Sequence, residues 1–373
     1  MASRNSNLAS LRHGRPFTIG RQVVDFGRNI VEPGTNKLHH RLFVNDPWEL
    51  IAESIHRAVP DLRVRDIAHS IRRQATDYFR TATVADELAV RPVLLYYAFL
   101  NLSKAFAIAK GNVGLVRSAY HGLSCEPRGR SISNSFVKLD FRRKPAVFEE
   151  LLKQFQQNPS RVPNKLILGQ LLPQILPGHR LWCYAAKKPE RFISVERFQL
   201  LHNSANKEVW VDIQINRSDL DRLNLTDRIA LSHSGLSNDF EVAGNLSDDT
   251  IHFQQRTPDN YASDPMDGLA TTVSKCKNLI WETVRIISPY RKAYIYCCPM
   301  NEQQARMPQI VSIYLLMFFL GSVTRYAPVY FEDLFESKYG PFFEAFISES
   351  PMQFLYLMAS EIVGREVSRP AII

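Results

Sequence analysis

The sequence predicts an α+β fold, mainly helical with a central antiparallel β insert. Three observations carry that prediction. Residues 64–82 keep a 3.6-residue apolar period over about five turns. Residues 190–256 hold short alternating runs separated by Asn, Asp, Ser and Gly turns. From residue 265 onward helical patterns return. With 373 residues, 45% hydrophobic and 22% charged, the chain is long enough to bury roughly three quarters of its unfolded surface in one large or two smaller cores.

Taken in order, residues 1–45 mix Gly, Pro, Asn and Arg without a sustained period and read as an irregular or extended arm. Residues 46–122 form an N-terminal helical part. At DPWELIAESIHRAV, Asp46 can cap, Pro47 suits the first helical position and Glu49 completes a capping-box pattern. The next helix puts Val64, Ile67, Ala68, Ile71, Ala75, Tyr78, Phe79 and Ala82 on one stripe. Its outer face carries Arg65, His69, Arg72, Arg73 and Arg80, most simply a solvated face. VRPVLLYYAFLNLSKAFAIAKGN, 90–112, is apolar all round and must be surrounded by protein. Tyr97, Asn101 and Lys104 share one of its faces, so they either close an internal network or line a ligand pocket. Gly111 ends this helix.

Residues 123–264 read as a basic loop followed by an antiparallel β region. FVKLDF alternates as a short strand beside basic residues. RFISVERFQLL, KEVWVDIQI, RIALSH, FEVAG and TIHFQQR are the strands of the insert. Residues 265–373 form a C-terminal helical part expected to pack on the N-terminal helices. It runs through GLATTVSKCKNLIWETVRII, a strand at KAYIYCC, QARMPQIVSIYLLMFFLGSVTRY, PVYFEDLFESKYG and PMQFLYLMASEIVG. The most membrane-like run, 310–323, is about 21 Å long as a helix, too short for a hydrocarbon core of about 30 Å, and reads as a buried helix.

Charge and motif content narrow the function classes. Residues 1–144 hold 23 Lys+Arg against 12 Asp+Glu, hence +11, and the rest of the chain carries −2 of the total of +9. Such an excess favours nucleic acid or another phosphate-bearing ligand as partner, unless it is only an arginine-rich solvated surface. The basic candidates are Arg128, Arg130, Arg142, Arg143 and Lys144. Five cysteines without paired CxxC spacing indicate reduced thiols and a cytoplasmic setting, and no apolar leader segment marks the N-terminus. There is no GxxxxGKS/T loop, GxGxxG, HExxH or GxSxG. His202, His233 and His252 lack ligand spacing, and Asp212, Asp248 and Asp249 lack the lysine pattern of restriction-type nucleases. No metal and no cofactor are therefore expected, nor a membrane partner. A protein partner or homo-oligomer stays open.

RPVLLYYAFLNLSKAFAIAKGN, then YHGLS, a mid-chain set of strands and MFFLGSVTRYAP together resemble the YaaC-like protein family over roughly residues 48–365. That resemblance implies an architecture rather than a chemistry. It marks Asn101, Lys104, His121, Gly122, Arg325 and Tyr326 as its recurrent polar positions. A weaker similarity is to HEPN domains, helical bundles that include metal-independent endoribonucleases acting through Arg, four to six residues, then His. Here Arg117 and His121 are separated by three, and Arg63 and His69, with five between, precede the buried helix.

Two functions follow. The first is a nucleic-acid- or nucleotide-binding regulatory protein of YaaC-like type, with a bacterial defence or stress system as its expected setting. Its ligand-binding candidates are Tyr97, Asn101, Lys104, Arg325 and Tyr326. The alternative is a HEPN-like endoribonuclease with Arg117 and His121 as its catalytic pair, the imidazole taking a proton and the guanidinium meeting phosphorane charge. If the helix continues through 121, Arg117 and His121 stand one turn apart with Gly122 as the stop, an arrangement that the helix dipole also favours without any function. Parallel packing of the two apolar helices would bring Arg325 and Tyr326 to His121, and antiparallel packing would part them. The shared site is the expectation, because clustered polar groups satisfy one another.

Overall fold

The computed structural model describes residues 8–32, 35–117, 120–129, 132–141, 145–156, 162–244, 249–287 and 292–370. The first third of the chain runs through β1 (Arg15–Pro16), β2 (Thr18–Ile19), β3 (Gln22–Val23), β4 (Leu42–Phe43), α1 (Trp48–Ala58), α2 (Leu62–Val84) and α3 (Arg91–Ala109). Then come β5 (Leu123–Glu126), β6 (Phe136–Leu139), α4 (Val147–Phe155), β7 (Lys165–Ile167), α5 (Leu168–Leu171) and α6 (His179–Ala186). The β region holds β8 (Phe192–Asn203), β9 (Glu208–Asn216), α7 (Arg217–Arg222), α8 (Asp227–Ser234), β10 (Phe240–Ala243), β11 (Thr250–Gln255) and β12 (Asp259–Asn260). The chain ends with α9 (Pro265–Trp281), β13 (Val284–Ile287), β14 (Lys292–Tyr296), α10 (Gln309–Tyr326), α11 (Pro328–Glu336), α12 (Gly340–Val363) and β15 (Val367–Ser368). The fold is α+β.

Two compact units form, and they cut across the sequence segments. One gathers Met1–Arg41, Arg191–Ile286 and Arg291–Gln303 around an eight-stranded sheet of order β10-β11-β9-β8-β14-β13, with β1 added to β8 and β12 to β9. One face of β9 supplies Val209, Val211, Ile213 and Ile215 to a core shared with Phe240, Phe253, Leu269 and Ile280. The alternate residues Trp210, Asp212 and Gln214 point the other way, as the two-residue period of a strand requires. Residues 9–16 of the arm cross that face. Ala9 bridges to Ala243, Ser10 accepts from Gln254, and Arg15 pairs with His202. The arm is therefore partly strand, because the sheet's edge and polar face give its backbone partners that its own sequence does not announce. RIALSH is a correction: it is the middle of α8, not a strand. Thr226 Oγ1 accepts from Ile229 N–H at 3.3 Å, and Ala230, Leu231 and Ser234 turn one face inward. A six-residue apolar run is too short to separate the two periods.

The other unit comprises Leu42–Glu190, Ile287–Tyr290 and Gln304–Ile373. Asp46 Oδ1 accepts the Trp48 N–H at 3.0 Å and starts α1. α3 is the centre: α2, α10, α12 and α4 all pack on it. The all-round apolar composition of α3 and α10 is thereby buried from several sides. α10 extends beyond the expected 14-residue run to 18 residues, and α3 has 19, so both are long and apolar enough to cross a membrane by length and composition. Here both are largely covered by the unit's own core. They lie antiparallel. Gly321 of α10 sits so close to Pro92 and Tyr96 of α3 that an added Cβ would stand 2.9 Å from the Pro92 carbonyl oxygen. At the next level Phe318 packs on Tyr96, and beyond it Phe99 and Tyr314 both meet Phe354.

Candidate functional site

A cavity of about 660 Å³ opens in the helical unit beside the first turns of α3. α2 contributes Gln74 and Tyr78, and α3 contributes Tyr96, Tyr97, Leu100 and Asn101. The opposite wall is His121, Leu123, Ser124 and Cys125, with Phe318, Ser322, Arg325 and Tyr326 from α10. The volume falls within the range of small-molecule pockets, about 300–1,000 Å³. Among the described residues no aspartate or glutamate lines it.

Arg325 is its cation. Nε donates to the Gly321 carbonyl at 3.0 Å, and a terminal nitrogen donates to the Tyr97 hydroxyl at 2.8 Å. The guanidinium lies 5.6, 5.4 and 4.9 Å from the ring centres of Tyr96, Tyr97 and Tyr326. Helical tyrosines lean toward their own N-terminus, which is why Tyr97, on the antiparallel neighbour, reaches the end of α10. A guanidinium has five N–H donors, so three of them remain available. Arg325 has no carboxylate partner among the described residues.

His121 faces Arg325 from an extended segment. α3 stops at Ala109, one short 3-10 turn follows at Val113–Val116, and the chain returns toward the first turns of α3. Gly122, at φ +81°, makes the bend that lets β5 begin; a side chain there would also press on Ala146 at 2.7 Å. The His121 carbonyl accepts from Phe148 N–H at 3.1 Å, and its Nδ1 accepts from Leu123 N–H at 3.2 Å. The proton of the neutral ring therefore sits on Nε2. Burial, and then the nearby Arg325 charge, push the His121 pKa down. Burial raises the Cys125 thiol, against a hydrogen bond from Ser322 and the Arg325 charge. Burial likewise raises the Tyr96 phenol. Tyr96 is 2% exposed, and its hydroxyl has no hydrogen-bond partner among the described residues.

The pocket thus gathers Tyr97, Asn101, His121, Arg325 and Tyr326. Antiparallel packing, which was to part Arg325 from His121, instead brings them together, because the chain doubles back after α3. Lys104 stands one turn beyond Asn101, half-buried and outside the lining, with burial lowering its pKa. Arg117 is exposed at the end of the short 3-10 turn and also lies outside the lining. Arg128 is bound to Glu126 at 2.7 Å and lies over Phe136. Arg130, Arg142, Arg143 and Lys144 lie outside the described residues. Sequence reasoning missed Gln74, Tyr78 and Tyr96 as site residues. Tyr78 falls on the apolar stripe of α2 and Tyr96 in an all-apolar helix, and nothing in the sequence sets Gln74 apart; only the α2–α3 pairing turns the three to one cavity.

Over residues 36–362 the chain matches the family described as YaaC-like Protein. No curated protein and no solved structure matches it.

Proposed function

The chain belongs to the YaaC-like protein family, and from that premise we propose that it is a regulatory binding protein for a small phosphate-bearing ligand held in the α2–α3–α10 pocket. One observation carries this reading: the Arg325 guanidinium faces a cavity of about 660 Å³ without a carboxylate in its lining. A cation held in a half-buried site by tyrosines and a backbone carbonyl, with no carboxylate beside it among the described residues, is matched best by an anion supplied from outside. His121 adds an Nε2–H donor.

Binding accounts for this geometry better than ribonuclease chemistry does. Arg117 is absent from the lining, and a His121 whose Nδ1 is engaged by a backbone N–H presents a protonated nitrogen, not a base. The test is calorimetric titration of the full chain with inorganic phosphate and pyrophosphate. Arg325→Gln is expected to weaken binding at least about tenfold. Mixed RNA incubated with the protein in EDTA should stay intact; cleavage that disappears in His121→Ala would restore the nuclease reading.

A further inference from the structure

The pocket is polar in two separate places, and the second is not an anion site. One turn along α3 from Tyr97, about 6 Å by helical rise, Asn101 faces Gln74 of α2, and its Nδ2 donates to Gln74 Oε1 at 3.4 Å. That contact is long and leaves the outer groups of the pair, Gln74 Nε2 and Asn101 Oδ1, without partners among the described residues. The two carboxamides therefore present a donor beside an acceptor to the cavity they line. Between this pair and Arg325 stand the rings of Tyr78 and Tyr97, 5.6 Å apart and tilted by 31°. Tyr97 is held in place by its bond to Arg325. At the same pocket Tyr326 is 77% exposed, a large flat ring with one side turned to the guanidinium.

Cation, aromatic wall and donor–acceptor edge follow one another in the order of phosphate, sugar-borne ring and base edge. We infer that the ligand is a nucleoside monophosphate, its phosphate at Arg325 and His121, its base against the tyrosines and its edge read by Gln74 and Asn101. Side-by-side amide donor and acceptor groups are the arrangement that Asn and Gln use to read a base edge, and aromatic faces accept any base by stacking. The cavity, about 660 Å³, is of the size that takes a small molecule and is far too small to admit a duplex. This inference rests on the phosphate reading of the same pocket and adds the base to it.

The experiment keeps the two apart. Ribose 5-phosphate and the AMP, GMP, CMP and UMP series are titrated into the full chain, into Gln74→Ala/Asn101→Ala and into Arg325→Gln. The expectation is that at least one mononucleotide binds about tenfold or more tightly than ribose 5-phosphate. The double variant should lose that advantage and the ranking among bases while keeping its affinity for ribose 5-phosphate. Arg325→Gln should weaken every compound. If ribose 5-phosphate and all mononucleotides bind alike, and the amide variant changes nothing, the nucleotide inference is overturned while the phosphate reading survives. If no compound binds the wild-type chain, both fall.

Discussion

The pocket of the helical unit and the arm-covered face of the sheet are both polar clusters on apolar scaffolds. Each is built around one histidine, and they treat charge in opposite ways. On the sheet, Asp212 is 1% exposed, and its two carboxylate oxygens lie 3.1 and 3.0 Å from His252 Nδ1, while Gln214 donates to the same group at 2.9 Å. Beside it Arg12 pairs with Glu241 at 3.3 Å and also donates to the Arg256 carbonyl. In the pocket, His121 Nδ1 meets a backbone N–H, and Arg325 meets only tyrosines and a carbonyl. A network that closes on itself holds an arm to a sheet; a cation whose remaining donors end in a cavity holds a place for something else.

The largest expected effect is on the closed network. Asp212→Ala removes the buried carboxylate that faces His252 and takes from Gln214 its shorter hydrogen bond, at a cost of about 3 kcal/mol. Denaturant unfolding of the variant would read that loss, and its phosphate affinity should remain that of the wild type. A loss under about 1 kcal/mol would break the comparison.

Arg325→Gln should behave in the reverse way. It forfeits the hydrogen bonds to the Gly321 carbonyl and the Tyr97 hydroxyl, both neutral partners, and the contact with the tyrosine rings, about 2 kcal/mol by denaturation, while removing phosphate protection against heat. A variant that unfolds as readily as Asp212→Ala would make Arg325 a structural group after all.

The smallest effect is a pH dependence. His121 titrates below its ordinary value when folded, so between about pH 6.5 and that lower value the unfolded chain binds more protons than the folded one. Stability must then fall as pH drops through this window and level off below it. Phosphate binding should move the other way and tighten there, since a protonated His121 adds charge beside Arg325. His121→Gln should flatten both trends when stability and phosphate affinity are followed from pH 8 to pH 5. An unchanged profile in the variant would assign the dependence to other groups.

Parts of this were legible in the chain. The stripe from Val64 to Ala82 made α2, and the alternation in KEVWVDIQI made β9, because the period of a long segment states which face is apolar. RIALSH failed by the same logic, being too short to have a period. Among site residues, Tyr97 and Asn101 were legible because polar groups on an all-apolar helix need a partner or a cavity. Gln74 was not, since nothing in α2 alone distinguishes it from its solvated neighbours.

What the sequence determined by itself is that α3 and α10 must be buried and that His121 and Arg325 each lie just beyond or at the end of an apolar run. Composition sets that, since no exposed arrangement of those helices leaves water a polar face. Only the tertiary structure decided that the two polar ends meet. Antiparallel helices would separate them, and it takes the return of the chain after Ala109, the bend at Gly122 and the close approach at Gly321 to bring them to one cavity. Contacts between residues some two hundred positions apart are set by packing of the whole core, and no local period in the sequence encodes them.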